Sequence, residues 1–272
     1  MKYTILVQAF VFASIFLHAQ QNVDGLAKAE RSFAAYAVAN GTKPAFLQFA
    51  DSSGIMFDQG KPVNALSYWL ARDNRPGILN WRPDYVEIAA SHDFGFTTGP
   101  WTFQPKSLDD SIVARGRFIT VWHINNKGEW KFLVDLGVGN SPALADTVLR
   151  KIEITDPAVQ PGNAASLMDA EKEFVASAAE SLKKAYSKNL SDYTILTRQG
   201  IAPGRTNDEI DAITSKSFQS IQYSPLGSGL ASSGDLGYVF GITNANGKTE
   251  NYLHIWRKEK EGWKIALEVL RL

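Results

Sequence analysis

The sequence predicts an α+β protein made of two tandem domains, and three observations lead there. First, the chain repeats itself. Ser91-His92-Asp93-Phe94-Gly95-Phe96-Thr97-Thr98-Gly99 returns as Ser233-Gly234-Asp235-Leu236-Gly237-Tyr238-Val239-Phe240-Gly241. A Trp122…Trp130-Lys131…Asp135 signature returns as Trp256…Trp263-Lys264…Glu268, and Ala29-Glu30-Arg31-Ser32-Phe33 as Ala170-Glu171-Lys172-Glu173-Phe174. Second, each half runs helical periodicity first and strand periodicity afterwards, an order that belongs to α+β rather than alternating βαβ architecture. Third, about 250 residues remain after an N-terminal leader, enough for two cores of about 105 to 120 residues each.

The leader is read over residues 1–19. Lys2 supplies a positive start, Ile5 to Leu17 an apolar run too short for a membrane span, and Leu17-His18-Ala19 a small-residue cleavage site. The expected location is therefore secreted or periplasmic. The expected divisions are a first domain over 20–140, a linker with one edge strand over 141–165 and a second domain over 166–272.

In the first domain, Leu26, Ala29, Phe33, Tyr36 and Ala37 share one helix face, with Asp24 as candidate N-cap and Gly41 as the stop. A short helix over 44–49, a strand over 54–58 and a helix over 64–72 follow. After Arg75-Pro76-Gly77, segments 81–90, 94–103, 115–125 and 130–138 are rich in aromatic and β-branched residues, the signature of an antiparallel meander. In the second domain, a single helix is expected over 167–186. Thr206-Asn207-Asp208-Glu209 is a capping box that opens another. Strands are expected over 218–223, 229–243, 250–257 and 263–270.

The helix, Phe49-Ala50-Asp51 turn, strand, helix and Trp…Ser-x-Asp-x-Gly-x-x-x-Gly…Trp…Gly-x-Trp-Lys meander together resemble the nuclear transport factor 2-like superfamily. The nearest pattern is its SnoaL-like branch, including the domain of unknown function 4440. The resemblance covers nearly all of both repeats. It implies two cone-shaped domains, each a curved antiparallel sheet wrapped around helices with a pocket in the concave side. Such folds host isomerases, dehydratases, cyclases and non-catalytic binders. The family's steroid isomerases set a specific test. Their base falls six residues after the acid of the Phe-Ala-Asp turn, which here is Phe57, with Asp58 one place late on the opposite strand face. Their oxyanion tyrosine falls at Phe33. Two expected groups are missing, so steroid-isomerase chemistry is disfavoured.

A four-residue turn at Asn125 to Gly128 would pair Trp122 with Lys131, Thr120 with Leu133 and Phe118 with Asp135. The apolar face (Ile119, Val121, Phe132, Val134, Leu136) is then expected to cover helices and pocket. The mixed face, with its counterpart Tyr252, His254, Trp256, Ala266 and Glu268, is expected to pack the two domains into an internal pseudo-dimer, because members of the superfamily commonly dimerise through their sheets. His254 and Glu268 thus read either as an interface cluster or as an acid–base pair.

Composition excludes several classes. There is no cysteine, so no disulfide, thiolate metal site or Cys nucleophile is available. Without Lys2, 27 basic residues face 28 acidic ones, a balance unsuited to nucleic acid or anionic membrane. The histidines lack metal-ligand spacing, no phosphate loop is present, and no cofactor is expected. His92 has Gly234 as its repeat equivalent and therefore reads as a turn apex.

What the repeats do not share is more telling. Five of seven tryptophans lie in the first domain, and aromatic walls with a few polar tips are what a small-molecule pocket requires. Tyr36, Trp69, Trp81, Tyr85, Trp101 and Arg117 are the candidate ligand-binding residues. Three readings remain: a binder of a small apolar or aromatic ligand; an isomerase, dehydratase or cyclase using Asp58 or Tyr36 for proton transfer; or a structural module with filled pockets.

Overall fold

The computed structural model describes residues 20–142, 148–154 and 160–272; the expected leader lies outside the described residues. The chain is α+β, with helices against each of two sheets. Its first part runs α1 (Val23–Asn40), α2 (Thr42–Phe49), β1 (Ala50–Asp58), β2 (Lys61–Asn64), α3 (Ala65–Leu70), β3 (Ile78–Trp81), β4 (Tyr85–Ile88), β5 (Phe94–Gln104), β6 (Ala114–Ile124) and β7 (Trp130–Gly139). Within 141–165, β8 (Arg150–Glu153) lies parallel to β4 at the sheet edge. The second part runs α4 (Ala164–Glu180), α5 (Leu182–Asn189), β9 (Leu190–Arg198), α6 (Asn207–Lys216), β10 (Gln222–Leu230), β11 (Leu236–Ala245), β12 (Lys248–Glu259) and β13 (Gly262–Leu270).

Several local expectations are corrected. Asn22, not Asp24, caps α1, its side chain accepting from the Gly25 N–H at 2.8 Å. The single helix expected over 167–186 is two, because Ser181 leaves helical backbone at φ −157 and caps α5. The strand expected over 81–90 breaks between Trp81 and Tyr85, where Pro83 has no N–H to give a ladder. Strand β9 had no periodic signature of its own. The Thr206–Glu209 capping box starts α6 as expected.

The meander is not wholly antiparallel. Strand β1 lies parallel to β7, and β9 parallel to β13. The sheets run β2-β1-β7-β6-β5-β4-β8, with β3 on β5, and β10-β11-β12-β13-β9.

The hairpin register also differs. A β-bulge sets Trp122 against Phe132, Val121 against Val134 and Thr120 against Asp135. The same bulge recurs in the second sheet, where Trp256 meets Ile265, Ile255 meets Leu267 and His254 meets Glu268. One extra residue on the last strand reverses its alternation. Phe132 therefore joins Phe118 and Trp122 beneath α1 and α2, while Val134, Leu136, Ile119 and Val121 enter a cluster with Leu253, Ile255, Leu267 and Val269 of the other sheet. The apolar face, expected over the helices, packs sheet on sheet; the mixed faces, expected between the sheets, cover each domain's own helices. Bulk apolarity decides this. A wholly aliphatic face gains most from burial against its like, whereas a face carrying Thr120, Asp135, His254 and Glu268 needs polar partners, which the helices provide.

Polar contacts flank the shared cluster. The repeated turns meet each other: the Ala90 N–H donates to Asp235 Oδ2 at 2.9 Å, and Ser233 Oγ donates to Ser91 Oγ at 3.0 Å. Arg257 grips Glu87 with Nε and Nη2, each at 2.6 Å. His92 and Gly234, at φ +60 and +70, both take the left-handed backbone that their turns require.

Candidate functional site

A cavity of about 460 Å³ opens in the first domain between α2, α3 and the sheet. This falls in the range of small-molecule sites. Its walls come from Phe46 on α2, Trp69 on α3, Trp81 on β3, Trp101 on β5 and Phe118 on β6. Glycines 137 and 139 are part of its lining. A Cβ on neighbouring Gly116 would come within 2.7 Å of the Trp101 ring, so the indole keeps its place against this strand because that position is glycine. Gln199 and Arg271, from the second domain, reach the rim.

Asp135 lines this cavity. It keeps partial accessibility at the cavity while protein surrounds it otherwise, and Thr120 Oγ1 donates to its Oδ2 at 3.0 Å. Burial, reinforced by the charge of Glu30, pushes its carboxyl up to about 7. Glu30 is fully buried on α1 at the heart of a donor cluster. Trp81 Nε1–H donates to it at 2.5 Å, Trp122 Nε1–H at 2.9 Å, and Thr97 Oγ1 also donates. Burial raises the Glu30 carboxyl too, and these donors pull against it only in part. Among the described residues, neither carboxylate has a cation within ion-pair distance.

Of the six residues expected to bind ligand, Trp69, Trp81 and Trp101 line this cavity. The other three lie elsewhere. Tyr36 is on the outer side of α1, 37% exposed, with its ring edge on Phe49. Tyr85 belongs to the cluster between the sheets and donates to Glu87 Oε2 at 2.7 Å. Arg117 is buried against Asp84, its Nη1 at 2.9 Å from Oδ2, and Arg205 of the second domain reaches the same carboxylate. An uncompensated guanidinium cannot stay buried, so the sequence that placed Arg117 on the sheet-packing face also had to supply Asp84 there. Asp58 is paired with Arg72 at 3.0 Å, both partly exposed, and is not a cavity residue.

Glu30 and Asp135 were not among the expected site residues. A signal for both was present. Leu26, Glu30, Phe33 and Ala37 form one helix stripe, so Glu30 is a carboxylate at a core position, and Glu171 holds the same place between Leu167 and Phe174. Asp135 and Glu268 end matched hairpin signatures.

The second domain holds the corresponding carboxylates, Glu171 and Glu268, in a closed arrangement. His254 sits between them, Nδ1 at 3.0 Å from Glu171 Oε2 and Nε2 at 2.7 Å from Glu268 Oε2. Tyr252 OH and Trp256 Nε1–H each donate to Glu171 at 2.8 Å. Tyr186 OH donates to Glu268 at 2.6 Å and Arg198 pairs with the same carboxylate. Burial works against the charged ring, but Glu171 and Glu268 outweigh it and lift His254 to about 9. Burial likewise opposes ionised Glu268, yet Arg198 and His254 hold it near 2. The pair expected between the sheets is thus an internal ion network against α4 and α5.

Among the described residues, no group of three or more His, Asp or Glu could hold a metal ion, and no helix is long and apolar enough to cross a membrane. No protein-family model matches the chain, and no curated protein matches it. Solved structures resemble parts of it. A ketosteroid isomerase-like protein from Erwinia carotovora atroseptica is 18% identical over 38% of this chain and 91% of its own, with a TM-score of 0.33. An NTF-2 like protein from Shewanella oneidensis is 18% identical over 42% of this chain and 96% of its own, at 0.33. An NTF2-like protein from Cytophaga hutchinsonii is 13% identical over 43% and 97%, at 0.32.

Proposed function

We propose that the first domain binds a small, largely apolar or aromatic molecule in the cavity walled by Trp69, Trp81 and Trp101, with Asp135 meeting its polar group. The observation that carries this is the pairing of about 460 Å³ of open, aromatic-walled space with one carboxylate inside it. Apolar walls supply affinity and a single polar group supplies orientation. Three tryptophans at the site make occupancy visible in intrinsic fluorescence. Titration with 2-phenylethanol is expected to give saturable quenching, abolished by Gly137→Leu, which adds a side chain to the cavity lining. Native mass spectrometry of protein purified from its source is expected to show a bound small molecule. Absence of both signals sinks this reading.

A second reading, acid–base catalysis at Asp135, is favoured by one observation: burial brings this carboxyl to about 7, where it can exchange protons under ordinary conditions. Binding is the better supported of the two. Glu30 is already engaged by three donors of its own and is not a lining residue, so Asp135 is the single carboxylate lining the cavity among the described residues.

We also infer that the chain is exported as tandem nuclear transport factor 2-like copies, arranged as an internal pseudo-dimer. Support for export comes from the Lys2, Ile5–Leu17 and Leu17-His18-Ala19 pattern. N-terminal sequencing of protein recovered outside the cytoplasm is expected to begin at Gln20; a retained Met1 contradicts export.

A further inference from the structure

Building on the ligand-binding reading, we propose that the ligand of the first-domain cavity is an organic cation, a protonated nitrogen on an aromatic or apolar body seated against Asp135. The argument comes from comparing the two domains position by position. Each keeps a helix-borne carboxylate (Glu30, Glu171) and one on the last strand (Asp135, Glu268). Each helix carboxylate also accepts from the equivalent indole, Trp122 or Trp256, at 2.9 and 2.8 Å. The residues around these carboxylates are what changed.

Opposite the last-strand carboxylate, His254 pairs with Glu268 where Thr120 pairs with Asp135. Two residues earlier on the same face, Tyr252 stands where Phe118 does. The fifth residue of α5 is Tyr186, and that of α2 is Phe46. Arg198 closes β9, whereas Asp58 closes β1 and turns away to Arg72 at 3.0 Å. The second domain therefore supplies two cations (His254, Arg198) and three phenols (Tyr186, Tyr223, Tyr252) to its two carboxylates. The first keeps both carboxylates and carries Phe46, Phe118, Thr120 and Asp58 at four of these places, while Trp81 stands where Tyr223 does and gives its N–H to Glu30 rather than to Asp135. The cavity opens where those donors are missing.

An ionised carboxylate away from water needs a compensating charge. In the second domain the compensating group at this place is a protonated aromatic nitrogen, 2.7 Å from Glu268. The first domain lacks such a group of its own, and its cavity is walled by indoles, whose faces attract cations. A ligand that brings a protonated nitrogen completes both features at once. Arg271 also lines the cavity and is partly buried, but among the described residues it forms no ion pair with Asp135.

The test is an isosteric series titrated by calorimetry and tryptophan fluorescence at pH 7.5: phenethylammonium, 2-phenylethanol, propylbenzene and 3-phenylpropanoate. Phenethylammonium is expected to bind at least about 10-fold tighter than propylbenzene, the scale of one charge-assisted hydrogen bond. Asp135→Asn is expected to erase that preference while leaving propylbenzene affinity within about 3-fold, since the walls are unchanged. Thr120→His, which imports the second domain's ring, is expected to abolish phenethylammonium binding. Circular dichroism and urea unfolding confirm that each variant is folded. If 2-phenylethanol, propylbenzene or 3-phenylpropanoate binds as tightly as the ammonium, or if the preference survives Asp135→Asn, the cation proposal is overturned and the binding reading stands. If none of the four binds the wild-type protein, the cation proposal falls, and the binding reading falls with it if native mass spectrometry also shows no bound molecule.

Discussion

Replacing His254 by Thr, the residue that the first domain carries at the same place, is expected to destabilise the protein by about 3 to 5 kcal/mol at pH 6, read from urea unfolding. The substitution removes the ring between Glu171 and Glu268 and leaves two fully buried carboxylates with one cation, Arg198, between them. It also opens a void beneath Phe174, whose ring packs edge-on to the imidazole at 4.8 Å. The loss should depend on pH in a defined sense. His254 is raised in the folded state, from 6.5 to about 9, so its contribution is complete below about 6.5 and is lost as pH rises through about 9. Glu268 is depressed to about 2, so its contribution is complete above about 4.5 and is lost as pH falls through about 2. The wild-type protein should therefore outlast His254→Thr most clearly between about pH 5 and 7, the gap narrowing above about pH 9 to the part owed to the void. A constant difference from pH 6 to 10 would mean that the ring is neutral and merely fills space.

Asp135→Asn should act in the opposite direction. Asp135 is raised from 3.8 to about 7, first by burial and then by Glu30. A raised carboxyl contributes to stability below its unfolded value and loses that contribution as pH rises through the folded one. Wild-type stability should accordingly decline between about pH 4 and 8, because ionising Asp135 beside Glu30 is costly. The amide cannot ionise, can still accept from Thr120, and should make the variant more stable than wild type by a few kcal/mol at pH 8.5, with little difference at pH 4.5. Parallel stability profiles across this range would place Asp135 among ordinary solvated carboxylates. The same variant separates binding from catalysis. If Asp135 is a general base, wild-type protein should accelerate deuterium uptake at the α-carbon of 2-tetralone with a midpoint near pH 7, and Asp135→Asn should remove that rate. A cavity that only binds gives no acceleration in either protein.

These two sites also show why one domain is open and the other closed. Burying Tyr186, Tyr223 and Tyr252 fills the second domain's interior while satisfying Glu171 and Glu268. In the first domain, Phe46 and Phe118 bring no hydroxyl, and glycines 137 and 139 withhold side chains from the cavity lining. Among the described residues no cation pairs with Asp135, so it stays neutral by keeping its proton up to about pH 7 and, once ionised, relies on solvent or a ligand.

Much of this was legible in the sequence because it is local or periodic. The duplication, the helix stripes, the Thr206–Glu209 cap and the tryptophans at 69, 81 and 101 follow from spacings within one element or from matching one half to the other. The three misplaced candidates each needed information that spacing lacks. Tyr36 sits at the edge of its helix stripe, where a small rotation decides between cavity and solvent. Tyr85 and Arg117 depend on which sheet face meets which layer. That choice followed from which face is the more uniformly apolar once both sheets are in place, and the facing of the last strands from one extra residue in each, a bulge that reverses alternation and has no signature in residue type.

By itself, the sequence determined that this protein is α+β, that matching motifs recur in its two halves, that it is cysteine-free, and that its first half is richer in tryptophan, since short-range periodicity and composition suffice for each. Only the tertiary structure decided that the aliphatic faces join the sheets, that Trp81 and Trp122 converge on Glu30 close enough to Asp135 for the two carboxylates to influence each other, and that a histidine answers the equivalent carboxylates in the other half. Those are facts about which distant groups share a low-dielectric interior. Charge and hydrogen bonding acquire their meaning there only once burial has chosen the neighbours.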